Sequence, residues 1–424
     1  MLVGSAFAQG QNSAQSSSTP SHRTCGSLIL PDDFEDWIST QIKSDQATGT
    51  ANKAHIVYTL PVVVHIIHQG SAVGASYNLS VAQIQSQIDV LNEDYNKLNF
   101  DTALIPSVFS GLAADCEINF CLAQRDPNGN ATTGIDRINK VTKGWGPLPY
   151  DQTYMNATVK PNSVWNVNKY LNIWVVPLSG GLLGYATFPP SSTLSGLSGP
   201  YGTTTTDGVV IQYNAFGRVG VLDPTYNKGR SATHEIGHWL GLRHTWGDAN
   251  CGNDYCTDTP TSQTSNFGCP SFPSVTCNNG PNGDMFMNYM DYTDDACMFM
   301  FTPNQKLRMT TVLTHTPFRV SLAASGSCEP VVIGINENSE FLNLSVYPNP
   351  TRDELTILFA NQHGKGNVNF RVLNTIGAEV FSTSMALNLT GEYKLNLANL
   401  AQGFYFVEIS TADGRKIEKF QIAR

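Results

Sequence analysis

Apolar residues fall at positions 81, 84, 88, 91, 95 and 98 of "SVAQIQSQIDVLNEDYNKLN". That spacing predicts one face of a helix, with Ser80 placed to cap it. "LPVVVHIIH" (60–68) is an unbroken apolar run and reads as a buried strand. "CEINFCLAQ" (116–124) alternates, so Cys116, Ile118, Phe120 and Leu122 share one face and Cys121 points the other way. The two cysteines should therefore not bridge each other. "YLNIWVVPL" (170–178) and "DGVVIQYNAFG" (207–217) are further strands, and "GLLGYATF" (181–188) reads as an edge strand with glycines at its start. "LPDDFEDWISTQIKSD" (30–45) predicts a short helix. Helices and strands mix without a strict repeat, which makes this region α+β.

Near residue 325 the pattern changes. "LSVYP", "ELTILFA", "NFRVLN", "EVFSTSM", "EYKLNL", "GFYFVEI" and "KIEKFQIA" succeed one another with turn residues between them. So many short strands in so little chain predict a small antiparallel β-sandwich. The expected divisions are a signal-peptide remnant (1–8), a pro-segment (9–53), a catalytic domain (54–325), a linker (326–339) and the sandwich (340–424). Residues 9–24 are rich in Ser, Gln and Asn and predict disorder, and "ATGTANK" (47–53) predicts an exposed linker.

The chain carries a net charge of −9 and only 14% charged residues, with no basic patch, which argues against nucleic acid as a partner. No apolar run approaches the ~18 residues of a membrane span. "MLVGSAFAQG" resembles the tail of a secretory signal, with Ala6-Phe7-Ala8 as a small-x-small cleavage site and the true start expected upstream. Nine cysteines point to an oxidising compartment. Five of them, at 251, 256, 269, 277 and 297, lie in a segment rich in Gly, Pro, Asn and Asp that can bury little apolar surface, so disulfides are expected there.

"SATHEIGHWLGLRHTWGD" (231–248) concentrates the chemistry. Residues four apart share a helix face, so His234 and His238 present two imidazoles side by side. Gly241 can take the left-handed conformation that ends a helix, and the returning chain brings His244 to a third corner. Three neutral imidazoles with an open position describe a catalytic zinc site, and Glu235 would take the proton of an activated water. The competing reading, a histidine-rich helix end, does not account for the full H-E-x-x-H-x-x-G-x-x-H string. His65 and His68, in the apolar strand, read as structural histidines.

This string resembles that of the metzincin zinc peptidases, whose second element is a methionine turn. "MNYMDYTDDACM" (287–298) supplies Met290 for it, and Tyr292 could assist the oxyanion. "TWGD", "CTDTP", "FGCP" and "NYMDYTDDAC" resemble the pappalysin family in its smaller microbial branch, over roughly 54–320. The resemblance implies a metzincin catalytic domain, with a mixed sheet and an active-site helix, acting as an endopeptidase on proteins or peptides. It implies the pairs Cys251–Cys277 and Cys269–Cys297, and a structural calcium ion near Asp254, Asp258 and Thr259. Cys256 has no partner in that pattern, and Cys328 is a candidate only by elimination. Some members prefer a basic residue after the cleaved bond and place an acid near the methionine turn. Ala296 stands directly before Cys297, where that acid is expected, which puts the preference in doubt.

"HRTCGS" (22–27) places Cys25 ahead of the catalytic domain, and it resembles the family's pro-segments, in which a cysteine restrains the zinc as a zymogen switch. "VYPNPTRDELTI", "GEYKLNLANLAQGFYFVEI" and "GRKIEKFQIAR" resemble the type A sorting domain of type IX secretion. That implies export through secretion machinery, with the protein released outside the cell or attached to its surface. An adhesion protein with a silent protease fold and a zinc hydrolase for non-peptide substrates are the rival readings.

Overall fold

The computed structural model describes residues 22–27, 32–48, 56–189, 201–322, 324–330 and, in the C-terminal part, 344–359, 367–375, 377–386, 391–411 and 414–424. The expected signal remnant, the linker around Lys53 and most of the linker after 330 lie outside them. The chain divides into two compact units, Met1–Val331 and Val332–Arg424.

The first unit is built on a six-stranded sheet. Its members are β1 (Tyr58–His68), β2 (Ile118–Leu122), β3 (Ile135–Asn139), β4 (Leu171–Val176), β5 (Gly184–Ala186) and β6 (Val209–Gln212). The order is β2-β1-β4-β6-β5, with β3 also on β1. β1 pairs parallel with β2, β3 and β4, and is buried along most of its length, as the near-continuous apolar run of a central parallel strand requires. β5 alone runs antiparallel, to β6, and forms the edge that its glycines suggested.

Four helices bear on the site: α1 (Asp32–Ala47), α2 (Val81–Tyr95), α3 (Arg230–Trp239) and α4 (Pro303–His315). In α2, Ile84, Ile88, Leu91 and Tyr95 face the core, and the Ser80 hydroxyl accepts from Gln83 N at 3.1 Å. α2 also anchors α3. Thr233 Oγ1 donates to Asp94 at 2.7 Å and Tyr95 OH donates to Thr233 O at 3.0 Å, all inside the core. α3 turns Ala232, Ile236 and Trp239 into the main core beside Val209 and Ile211 of β6.

Cys251–Cys277 and Cys269–Cys297 are disulfides, as the resemblance implies. Loops of that length contribute on the order of 3 kcal/mol each. The elimination that offered Cys328 to Cys256 is corrected: Cys328 bonds Cys121, while Cys256 and Cys116 are free thiols and buried. Cys121 points away from the Cys116 face, toward the segment that returns after α4. That bond, with Gln124 N donating to Ser327 O, holds residues expected in the linker against the first unit.

The strands of the second unit pair antiparallel. β7 (Leu344–Tyr347), β8 (Glu354–Phe359) and β11 (Glu392–Asn396) make one sheet in the order β11-β8-β7. β9 (Asn367–Leu373), β10 (Glu379–Ala386), β12 (Gly403–Thr411) and β13 (Gly414–Ile422) make the other, in the order β10-β9-β12-β13. Leu355, Ile357, Phe370, Val372, Val407 and Ile409 form its own buried core, so all seven expected strands are present. No described helix is long and apolar enough to cross a membrane.

Candidate active site

The end of α3 sets the geometry. Gly241 has φ +85°, the left-handed conformation, and the chain closes as a Schellman motif: Gly241 N donates to His238 O and Leu242 N to Gly237 O. The reversal carries Arg243 and His244 back over the helix. Gly237 itself permits the methionine floor, because a Cβ there would lie 2.4 Å from Met290 Sδ. Met290 is fully buried in the core beneath the histidines.

His234, His238 and His244 converge. His238 Nε2 lies 3.1 Å from His234 Nε2 and 3.0 Å from His244 Nε2. Each Nδ1 has an acceptor: Tyr289 O for His234 at 2.7 Å, Leu242 O for His238 at 2.8 Å, and the Asp248 carboxylate for His244. The Nδ1 positions therefore carry the protons, and three Nε2 lone pairs face one another. Burial, then the neighbouring histidines, push His234 well below its ordinary pKa and His238 down to about 3, which favours in these two rings the neutral form that a ligand needs. The Cys25 thiol completes the group, its sulfur and the ring nitrogens lying within 4.8 Å of one another.

These donors fit a zinc ion. Three nitrogens at ~2.0–2.1 Å from a tetrahedral metal stand about 3.3 Å apart, close to the spacing found here. Mutually facing lone pairs in a buried site repel unless a cation lies between them. The outer partners, two carbonyls and a carboxylate, are those that orient ligating histidines. Asp248, four residues after His244, is a partner that the sequence pattern did not single out, although the spacing within "HTWGD" carried the signal.

The described N-terminal segment, residues 22–27, threads this site. Cys25 pairs with Gly184 as a parallel β-bridge, Gly26 N donates to Gly184 O and Leu183 N to Thr24 O, so the segment extends the sheet at the β5 edge. Cys25 Sγ donates to Glu235 Oε2 at 3.1 Å, and Ser27 Oγ donates to the same oxygen at 3.0 Å. Cys25 N donates to Tyr292 OH at 3.3 Å. Burial pushes Glu235 up to about 7 against the lowering effect of these donors. Burial, then the Glu235 carboxylate, raises the Cys25 thiol, a balance that a divalent cation among the four donors would reverse.

Two residues before Cys25, Arg23 is 2% exposed. Its guanidinium donates to Asp295 Oδ1 at 2.5 Å, to Thr293 O at 3.1 Å and to Ser231 Oγ at 3.2 Å, with the Tyr226 ring 5.2 Å away. Asp295 is fully buried, and Oδ2 accepts from Lys228 N at 2.8 Å. A buried acid thus lies at the methionine turn, one residue before the position at which Ala296 raised doubt.

The remaining candidate residues sit elsewhere. Asp254 accepts from Cys256 N at 3.0 Å and from Thr259 Oγ1 at 2.7 Å. Asp258 caps α4, accepting from Thr302 Oγ1 and from Asn304 N, each at 2.8 Å. His65 is fully buried between Asp136 and Asn172, and His68 accepts from Gly70 N, so both are structural.

Comparison with known proteins places these residues in a wider group. The family model described as "Pregnancy-associated plasma protein-A" matches residues 153–314, and "Secretion system C-terminal sorting domain" matches 345–423. An extracellular metalloprotease of Pyricularia oryzae is 32% identical over 63% of this chain and 80% of its own length. One from Colletotrichum graminicola is 31% identical over 70% and 92%. Mature mirolysin of Tannerella forsythia, solved with a cleaved peptide, is 44% identical with a TM-score of 0.57, over 65% of this chain and 99% of that one. A promirolysin mutant from the same organism is 42% identical with a TM-score of 0.58, over 71% and 97%.

Proposed function

Since this chain belongs to the pappalysin family of metzincin zinc peptidases, and is a secreted metalloendopeptidase with a C-terminal sorting domain, we propose how its own residues perform and restrain that activity. His234, His238 and His244 hold the zinc, Met290 floors it and Gly241 makes the reversal that brings the third histidine in. A zinc ion held there would supply Lewis-acid chemistry, polarising a carbonyl and making water more acidic, to a pKa of about 7. Glu235 takes the proton of the attacking water and passes it to the leaving amine. Tyr292 donates to the oxyanion from the hydroxyl that the pro-segment now occupies. The convergence of three Nε2 lone pairs beside a buried carboxylate is the observation that carries this reading.

The precursor reading has equal structural support. Cys25 Sγ converges with the three imidazoles and would take the fourth ligand position, while its own backbone and Ser27 engage Tyr292 and Glu235, so one short segment would block metal, oxyanion donor and base together. Residues 9–53 are then a pro-segment removed on activation, and the sorting domain is an export address removed later. A structural calcium ion belongs to the same proposal, since Asp254, Asp258 and Thr259 offer oxygen donors of the kind calcium takes. Casein hydrolysis by the mature enzyme should vanish with a zinc chelator and return with added zinc. A calcium-selective chelator should instead lower the melting temperature. Full activity after zinc removal would exclude the zinc mechanism, and an unchanged melting temperature would exclude calcium.

Arg23 also suggests what the enzyme cleaves. A guanidinium seated on a buried aspartate occupies a site that a basic substrate side chain would fill after activation. Replacing one partner of such a desolvated pair costs roughly 2–5 kcal/mol. In Asp295→Asn, kcat/KM for an arginine peptide relative to its norleucine twin should therefore fall on the order of 30-fold or more. Asparagine keeps the acceptor for Lys228 N, which preserves the loop. An unchanged ratio in a folded variant would show that Asp295 does not select the basic residue.

A further inference from the structure

Glu35, on α1, is 2% exposed, although it is a carboxylate on a pro-segment helix. Arg243 Nε donates to its Oε1 at 2.7 Å. Arg308 Nη1 donates to Oε2 at 2.7 Å and Nη2 to Oε1 at 3.1 Å, a forked pair. Neither arginine is more than 7% exposed. Both are held by the catalytic unit itself. Arg308 Nη2 donates to Gly241 O at 3.0 Å, and the Arg243 guanidinium lies 5.1 Å from the centre of the Tyr255 ring. Phe34, adjacent to Glu35, is fully buried with Ile38, Phe188 and Val312, and Tyr201 packs beside them.

This cradle lies at the opposite end of β5 from Arg23. Thr24 pairs with Leu183, Gly26 with Gly184 and Ser27 with Ala186 N, and Phe188 comes two residues after the strand. Asp295 therefore flanks the metal site on one side, and the Arg243–Arg308 pair flanks it on the other.

We propose that in the mature enzyme this cradle is a substrate subsite that selects an acidic side chain next to an aromatic one, on the side of the scissile bond away from Asp295. The proposal rests on the reading that the pro-segment is removed. Its removal takes away Glu35, and also Asp32, which lies 4.0 Å from Arg243 on the same helix. Both arginines stay. Two acids of the catalytic unit stay as well, each with its own partners: Asp254 near Arg308 is engaged by Cys256 N and Thr259, and Asp248 near Arg243 by His244. Two guanidinium groups pre-oriented by protein contacts match a carboxylate bidentately, and the hollow left by Phe34 accepts an aromatic ring.

Peptides with arginine just after the cleaved bond should be compared with Glu or Gln scanned across the positions before it, each beside Phe. One or two adjacent positions should show kcat/KM at least tenfold higher for Glu, and Arg243→Gln should abolish that ratio. A flat profile, or a preference that survives in Arg243→Gln, overturns the subsite. A second measurement needs neither the variant nor catalysis. A labelled Asp32–Ala47 peptide should bind zinc-stripped mature enzyme at least tenfold more tightly than its Glu35→Gln twin. Equal affinity, or no binding of either, also overturns it. Because this arm is read without zinc, a failure of the proposed catalytic mechanism leaves it interpretable.

Discussion

Glu235→Ala, matured in trans and loaded with zinc, should bind one equivalent of the metal and hydrolyse casein at least ~100-fold more slowly than wild type. Glu235 is not among the converging donors, since its carboxylate faces Cys25 and Ser27. Removing it leaves the three imidazoles and their Tyr289, Leu242 and Asp248 partners untouched. The helix should also survive, because alanine is the best helix former and Gly184 on β5 makes room for the side chain at this point. Zinc content and the rate on casein are measured together. Stoichiometric zinc with near wild-type turnover would refute the role of base, and lost zinc would make Glu235 a structural residue. Glu235→Gln, which keeps the shape and removes the charge, should be as inactive.

Cys25→Ala should convert the latent precursor into one that matures on the order of tenfold or more faster. The thiol is held against the metal site by its own chain, so its effective concentration is in the millimolar range or above and outcompetes water. Alanine offers no ligand. The remaining contacts, Arg23 to Asp295, Ser27 to Glu235 and Glu35 to the two arginines, still dock the segment, so the variant should fold and secrete normally. Release then begins from a site in which the fourth position is open. Mass spectrometry of wild-type and variant precursors over time, each with a Glu235→Ala control, reads the rate and the new N-terminus, expected near Lys53. Maturation no faster without the thiol, or Cys25 found in a disulfide, would defeat the switch.

Much of the site was legible because it is local. His234 and His238 lie one helical turn apart, Gly241 ends the helix, and His244 comes within reach, so a single string of residues carries three ligands and a base. The seven strands of the C-terminal unit were readable for a similar reason, since hairpin strands with turn residues between them report their own boundaries. The edge strand was marked by its glycines. β3 was not predicted, because "IDRIN" is half polar and becomes a strand only by pairing with β1. The parallel arrangement was equally hidden, since strand direction depends on crossovers through helices and not on any one strand's composition.

Pairings across long stretches of chain belonged to the tertiary structure. Cys121 meets Cys328 only because β2 lies beside the segment returning from α4, and counting cysteines cannot supply that. Arg23 meets Asp295 across 272 positions, and Glu35 meets Arg308 across 273. In the sequence each is an ordinary charged residue in a polar segment. Folding removes them from water, and a buried charge is tolerable only opposite its partner, which is what seats these two charges in dry ion pairs beside the site. The sequence alone determined the metal chemistry, because coordination needs donor types at short spacing. The three-dimensional packing decided what reaches that metal, because selectivity depends on which distant groups share a dry site.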